Sequence, residues 1–232
     1  MTVGPSVYWY LTRASGAVAL ILLTLSLLVG VAAVGRVRTS RWPRFAVDGV
    51  HRTASLLAVV FLLVHIATAV LDGFAPIGLT DAVIPFAGTY RPIWLGLGAM
   101  SFDLLLAVTV TSLVRLRLGH RAWRAVHWLA YLAWPVAVIH GFGTGSDVRL
   151  GWMLVVNVSC VAAVLIVIVI RALIGWPEHR RLRLGALGAA AGFGLGLLLW
   201  LPGGPLGRGW ARRAGTPRAL LAPRPATRDG ST

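Results

Sequence analysis

Six long apolar segments dominate the sequence and decide which class of protein it can form. They cover residues 9–34, 51–71, 93–114, 123–142, 152–174 and 184–201. A helix needs about 20 apolar residues to cross the hydrocarbon core of a bilayer, and each segment approaches or exceeds that length. The sequence therefore predicts an all-α integral membrane bundle of six transmembrane helices, contained in a domain of residues 1–202.

The composition excludes most soluble classes of protein. Charged residues make up 12% of the chain and apolar residues 57%, whereas a soluble domain carries roughly 25% charged residues. All 22 basic residues are arginines, and they give a formal charge of +15. Because they lie between the apolar segments, they indicate membrane topology rather than nucleic-acid binding. A single cysteine, Cys160, excludes a disulfide framework.

The arginines predict how the chain is oriented in the plasma membrane. They concentrate in the first, third and fifth connections, as Arg36, Arg38, Arg41 and Arg44, then Arg115, Arg117 and Arg121, then Arg180, Arg181 and Arg183. Connections rich in arginine stay on the cytoplasmic side, so both termini are predicted to lie outside. The tail of residues 203–232 is rich in Gly, Pro, Ala and Arg and has no periodic apolar face, which predicts disorder.

Four of the six histidines lie in only two of the apolar segments. His51 and His65 belong to the second segment, and His127 and His140 belong to the fourth. Imidazoles inside a bilayer are costly and usually functional. Both segments cross in the same direction, so His51 shares an inner level with His127, and His65 shares an outer level with His140. At 1.5 Å per residue the two levels lie roughly 20 Å apart.

Two facing imidazoles at one depth supply the two axial bonds of an iron porphyrin, so the four histidines predict two b-type haems. Zinc would require further ligands at each level. A separation of 14 residues leaves His51 and His65 within about 40° of one helix face, whereas 13 residues leave His127 and His140 about 140° apart. We therefore expect Pro135 to distort the fourth helix. The alternative is a non-redox membrane anchor or transporter with structural or proton-relaying histidines.

Anionic haem propionates need cationic partners, and arginines lie near both predicted levels. The candidates for cofactor contact are Arg52, Arg115, Arg121 and Arg124 on the inner side, Arg13 and Arg91 on the outer side, and Trp134 between the macrocycles. For the inner arginines the alternative is a topology signal. For Arg13 it is snorkelling to the interface, and for Trp134 it is ordinary helix packing.

The fourth segment contains the pattern Gly-x-x-x-Trp-x-x-x-His-x-x-x-Tyr, which runs from Gly119 to Tyr131. With the paired histidine spacings, it resembles the ferric reductase-like transmembrane superfamily over about residues 45–175. That group includes the membrane parts of ferric reductases and NADPH oxidases, and the haem-binding subunit of the bacterial methionine sulfoxide reductase system. The resemblance implies haem ligation by His51, His65, His127 and His140, and transmembrane electron transfer as the activity.

The resemblance also implies partners. A membrane cytochrome b of this kind passes single electrons from a cytoplasmic donor to an outer acceptor, which would be a ferric chelate, dioxygen or a partner reductase. Ferric reductases and NADPH oxidases carry a C-terminal FAD and NAD(P)H domain, for which this tail is too short. We therefore expect a separate flavoprotein or quinol as donor, with a bound flavin or quinone at the inner side as a further candidate. An alternative is a haem-binding subunit that serves a methionine sulfoxide reductase, although that family often lacks a histidine equivalent to His51.

Overall fold

The structure is a computed structural model that describes residues 6–34, 44–145, 147–174 and 176–221. Within these ranges every regular element is a helix. The helices are α1 (Val7–Val34), α2 (Arg44–Leu71), α3 (Leu79–Val83), α4 (Pro92–Leu113), α5 (Arg115–Leu118), α6 (His120–His127), α7 (Ala130–Thr144), α8 (Gly151–Leu173), α9 (Arg180–Gly203), α10 (Trp210–Arg213) and α11 (Arg218–Leu221).

Six stretches among the described residues are long and apolar enough to cross a bilayer, which confirms the predicted number of spans. They are Val7–Ala32, Phe45–Leu71, Pro92–Leu113, His120–Thr144, Gly151–Leu173 and Arg180–Gly203. The fourth span combines α6 and α7. The protein is therefore a multi-pass membrane protein.

The spans pack in pairs around a small apolar core. The most extensive contacts are between α1 and α2 and between α4 and α7, while α8 packs on both α1 and α9. Trp134, Val138 and Phe142 of α7 meet Val164 of α8 and Leu197 of α9 in the buried core. Helices α2 and α7, which carry the four histidines of interest, are thus each bound along a helix that carries none.

The fourth span is distorted between α6 and α7. There the amides of Leu129, Tyr131 and Leu132 bond carbonyls three residues earlier, at 2.9, 3.1 and 3.0 Å. Such a tight turn advances about 120° per residue instead of 100°, and the extra rotation helps to turn His140 towards the face that carries the preceding histidine. The expected distortion is present, but its tight turn precedes Pro135, which lies inside α7.

The prediction of a disordered tail from residue 203 is wrong for residues 203–221. The backbone amide of Arg91 donates to the carbonyl of Gly215 at 3.1 Å, and its Nε donates to Thr216 Oγ1 at 2.9 Å. The Trp210 indole donates to the carbonyl of Gly143 at 3.1 Å and lies 5.1 Å from the Trp94 ring. These contacts offset the entropy of ordering the segment, which the composition alone does not reveal.

Two predictions concern parts of the chain that lie outside the described residues. They are the arginines of the first connection, in residues 35–43, and the remainder of the tail, residues 222–232.

Candidate functional site

The four histidines of the second and fourth spans meet in two pairs. The ring centres of His51 and His127 lie 6.2 Å apart, with 68° between the ring planes. Those of His65 and His140 lie 6.4 Å apart, with 83° between the planes. The pairing by level that the spacing predicts is confirmed.

Three of these imidazoles bond a backbone carbonyl of a neighbouring helix. The Nδ1 atoms of His51, His65 and His140 lie 2.9, 2.7 and 2.8 Å from the carbonyl oxygens of residues 26, 12 and 94. A carbonyl can only accept, so Nδ1 carries the hydrogen and the lone pair is left on Nε2. This is the tautomer in which a histidine binds a metal through Nε2 while its other nitrogen is held by an outer partner.

The same three rings lie against glycines, because a side chain there would collide with them. A Cβ atom would come within 2.8 Å of His65 at Gly16, 3.4 Å of His51 at Gly30 and 2.5 Å of His140 at Gly98. Each glycine follows the bonded carbonyl by four residues, in the pairs Thr12 and Gly16, Ser26 and Gly30, and Trp94 and Gly98. One turn of helix thus supplies both the acceptor and the space for the ring.

Sequence reasoning missed this supporting role of α1 and α4. A readable signal was present, since Gly16 and Gly30 are separated by 14 residues, as are His51 and His65. Two antiparallel helices with matching separations bring one glycine to each histidine.

His127 is the exception among the four. Its Nδ1 is buried, and no hydrogen-bond partner for it lies among the described residues. The Trp123 ring packs against it instead, with ring centres 5.0 Å apart and 30° between the planes. The inner pair therefore has one imidazole held by a carbonyl and one that is not.

The separation within each pair fits axial ligation of a metal held between the rings. An imidazole nitrogen lies about 1.1 Å from its ring centre and bonds a first-row metal at about 2.0–2.1 Å, so two rings on opposite sides of one ion have centres about 6.3 Å apart. The observed 6.2 and 6.4 Å agree with that value. Among the described residues no group of three or more His, Cys, Asp or Glu side chains is placed to hold a metal alone. The pairs fit iron in a porphyrin, whose ring supplies the other four ligands.

A cleft of about 670 Å³ opens at the inner level between α1, α2, α4 and α7. Its walls are mainly apolar, with Leu27, Leu105 and Tyr131 among them, and His51 and His127 line it. Concave apolar clefts of this size with a few polar groups are typical cofactor sites. The inner pair is therefore next to space that suits a flat macrocycle.

The two outer arginines have protein partners. Arg13 forms an ion pair with Asp147, and its guanidinium carbon lies 3.4 Å from the centre of the Trp9 ring. Arg91 is only 4% exposed and donates from Nη1 to the carbonyl of Thr144 at 2.7 Å. Thr144 Oγ1 lies 3.2 Å from Nδ1 of His140, so Arg91 is linked to the outer pair through one residue.

The remaining candidates divide into exposed and buried residues. Arg52, Arg115, Arg121 and Arg124 are all exposed, on or beside the elements that carry the inner pair. Trp134 is buried, donates from Nε1 to Thr24 Oγ1 at 2.9 Å, and lies 6.0 Å from the Phe193 ring. The expectation that it lies between two macrocycles is wrong, because its helix face is turned into the core formed with α1 and α9.

The fold and the site define a multi-pass helical membrane protein with two levels of paired imidazoles between its spans. A family model described as Ferric reductase like transmembrane component matches residues 15–138, which is more than half of the chain. The chain belongs to this family, and membership indicates a membrane redox component. The match includes three of the four paired histidines and ends two residues before His140. No curated protein and no solved structure matched the chain in the same comparisons.

Proposed function

We propose that the chain is a membrane cytochrome b that passes single electrons through two bis-histidine haems, from a cytoplasmic donor to an outer acceptor. The observation that carries the proposal is the facing of the imidazoles at 6.2 and 6.4 Å, with the Nδ1 hydrogens of three of them bonded to helix carbonyls. When bound, haem would supply one-electron chemistry at its iron.

The chain's own contribution is to hold the axial ligands still. His51 and His65 are fixed by α1, and His140 is fixed by α4, each through a carbonyl and a glycine one turn later. A ligand that cannot rotate keeps the same geometry in both oxidation states, which favours fast electron transfer. Two imidazoles at each level leave no open coordination position, so the acceptor takes its electron without binding the iron.

The exposed arginines near the inner pair suit an anionic partner. Arg52, Arg115, Arg121 and Arg124 would attract an acidic surface of a separate flavoprotein and neutralise inner propionates. A quinol or a bound flavin at this level is the other donor that we consider. At the outer level Arg91 is the cation nearest to the histidine pair by its hydrogen-bond links, and a ferric chelate is the acceptor that the family favours, ahead of dioxygen or a partner reductase.

Haem stoichiometry tests the proposal directly. The full chain is produced in cells supplied with haem, purified in lipid nanodiscs, and assayed for haem b and protein. We expect two haems per chain and the reduced-minus-oxidised spectrum of low-spin b-type centres. The matched controls are His120→Leu and His179→Leu, which change exposed histidines outside the pairs and should retain both haems. A colourless, fully helical and monodisperse preparation would contradict the proposal and favour an anchor or a transporter.

The direction and the acceptor need a second measurement. In vesicles of known orientation, with reductant confined to the side of the inner pair, we expect a ferric chelate on the other side to reoxidise the haems. A molybdoenzyme or another reductase that copurifies and is needed for reoxidation would favour the subunit role.

A further inference from the structure

The three supported histidines reveal what is missing at the fourth. On α4, the carbonyl of Trp94 and the glycine at 98 hold His140. His127 precedes His140 by 13 residues, and α4 runs antiparallel to the fourth span. The equivalent support for His127 would therefore lie 13 or 14 residues after Trp94 and Gly98.

Both registers lead to a hydroxyl where the glycine should be. They place Thr111 or Ser112 at the glycine position, and the carbonyl of Ala107 or Val108 at the acceptor position. Thr111 Oγ1 donates to the carbonyl of Ala107 at 2.7 Å, and Ser112 Oγ donates to that of Val108 at 2.7 Å. In either register a side-chain hydroxyl bonds the carbonyl that would otherwise accept from the imidazole.

The contacts of Trp123 favour Ser112. The Trp123 indole donates from Nε1 to Ser112 Oγ at 3.2 Å, and its ring lies 5.0 Å from that of His127. Ser112 thus accepts from the residue that packs on His127 and donates to the Val108 carbonyl. Val108 also lines the inner cleft together with His127.

We propose that Ser112 is a positioning residue that makes His127 an exchangeable axial ligand, so that the inner iron binds small neutral iron ligands such as carbon monoxide. The proposal rests on the proposed function. An imidazole whose Nδ1 hydrogen is bonded to a carbonyl is a stronger donor with a fixed tautomer, and loss of such an outer partner weakens metal binding by about 10–100-fold. The cleft of about 670 Å³ beside the pair gives an incoming ligand access.

Binding of carbon monoxide to the reduced, haem-loaded full chain in nanodiscs tests this assignment. We expect carbon monoxide to bind half of the haem in the wild-type protein. Ser112→Gly frees the Val108 carbonyl and gives the ring the space that it has at the other three sites. We expect the rate of binding to fall by about 10-fold or more, with two haems retained. Ser112→Ala removes the hydroxyl with less change to the helix and should shift the rate in the same direction.

Thr111→Ala is the matched control, because it removes the neighbouring hydroxyl-to-carbonyl bond and should leave the rate unchanged. His127→Leu should abolish binding, and His65→Leu should retain it. Three results would overturn the inference: two low-spin haems with no binding in the wild-type protein, a wild-type rate in both Ser112 variants, or a change in Thr111→Ala alone. Each of them leaves two haems in place and the proposed function intact, whereas a protein without haem would refute the proposed function itself.

Discussion

The outer and inner histidine pairs have nearly the same separation but different surroundings. At the outer level His65 and His140 both bond helix carbonyls, and both lie so close to glycines that a Cβ would come within 2.8 Å. At the inner level His51 has a carbonyl partner, His127 has none among the described residues, and a cleft opens beside them. The difference shows that the histidines alone do not determine how firmly a pair is held. The neighbouring helices, which carry no paired histidine, do.

The largest expected effect comes from removing one histidine of either pair. We expect His65→Leu to remove mainly the outer haem and His127→Leu mainly the inner one, because a haem with a single axial imidazole is released during purification. In each variant the haem-to-protein ratio should fall by about half. Unchanged ratios in both variants would refute the ligand assignment and remove the basis for comparing the two pairs.

A matched pair of glycine variants on α1 should separate the two levels. In Gly16→Ala the new methyl would come 2.8 Å from His65 Nδ1, so the ring must move and its bond to the Thr12 carbonyl is lost. In Gly30→Ala the nearest ring atom of His51 is 3.4 Å away, which is almost an ordinary contact. We expect Gly16→Ala to lose more than half of the outer haem and Gly30→Ala to lose little of the inner haem, as measured by haem content and spectrum. Equal losses would contradict the tighter fit at the outer level.

A smaller effect is expected from opening the ordered tail over the outer level. Trp210 lies 5.1 Å from Trp94 and 5.9 Å from Trp200, and Trp94 supplies the carbonyl that holds His140. Trp210→Ala should raise hydrogen exchange in residues 204–221 and increase the rate of outer-haem oxidation by a bulky ferric chelate a few-fold, while haem content stays unchanged. Trp128→Ala, at a residue 60% exposed, is the control and should change neither. An unchanged exchange rate in Trp210→Ala would show that other contacts hold the tail.

The spans and the pairing of the histidines were predictable because each depends on one strong, local property. Apolar length gives the spans, and equal depth on parallel helices brings His51 to His127 and His65 to His140. The supporting carbonyls were not predictable in the same way, because a backbone carbonyl has no side-chain signature. Gly16, Gly30 and Gly98 are also ordinary residues for transmembrane helices, so each one alone carries little information.

The two wrong predictions have different physical causes. The position of Trp134 depends on the helical phase of the fourth span, which the tight turn before Pro135 changes, so uniform rotation of 100° per residue assigns the wrong face. The order of residues 203–221 depends on one aromatic side chain, Trp210, and on the buried Arg91. Averaged over the segment, their contribution is hidden by Gly, Pro and Arg.

The repeated carbonyl-and-glycine turn on α1 makes that helix a spacer with two fixed marks. Because Thr12 with Gly16 and Ser26 with Gly30 must serve two rings on α2 at once, the stretch between them tolerates replacement of its side chains far better than a change in its length. One residue inserted there would turn one mark by about 100° and shift it by about 1.5 Å relative to the other, so only one imidazole could remain seated. In evolution this chain can therefore vary freely in the letters of α1 but is bound to its count.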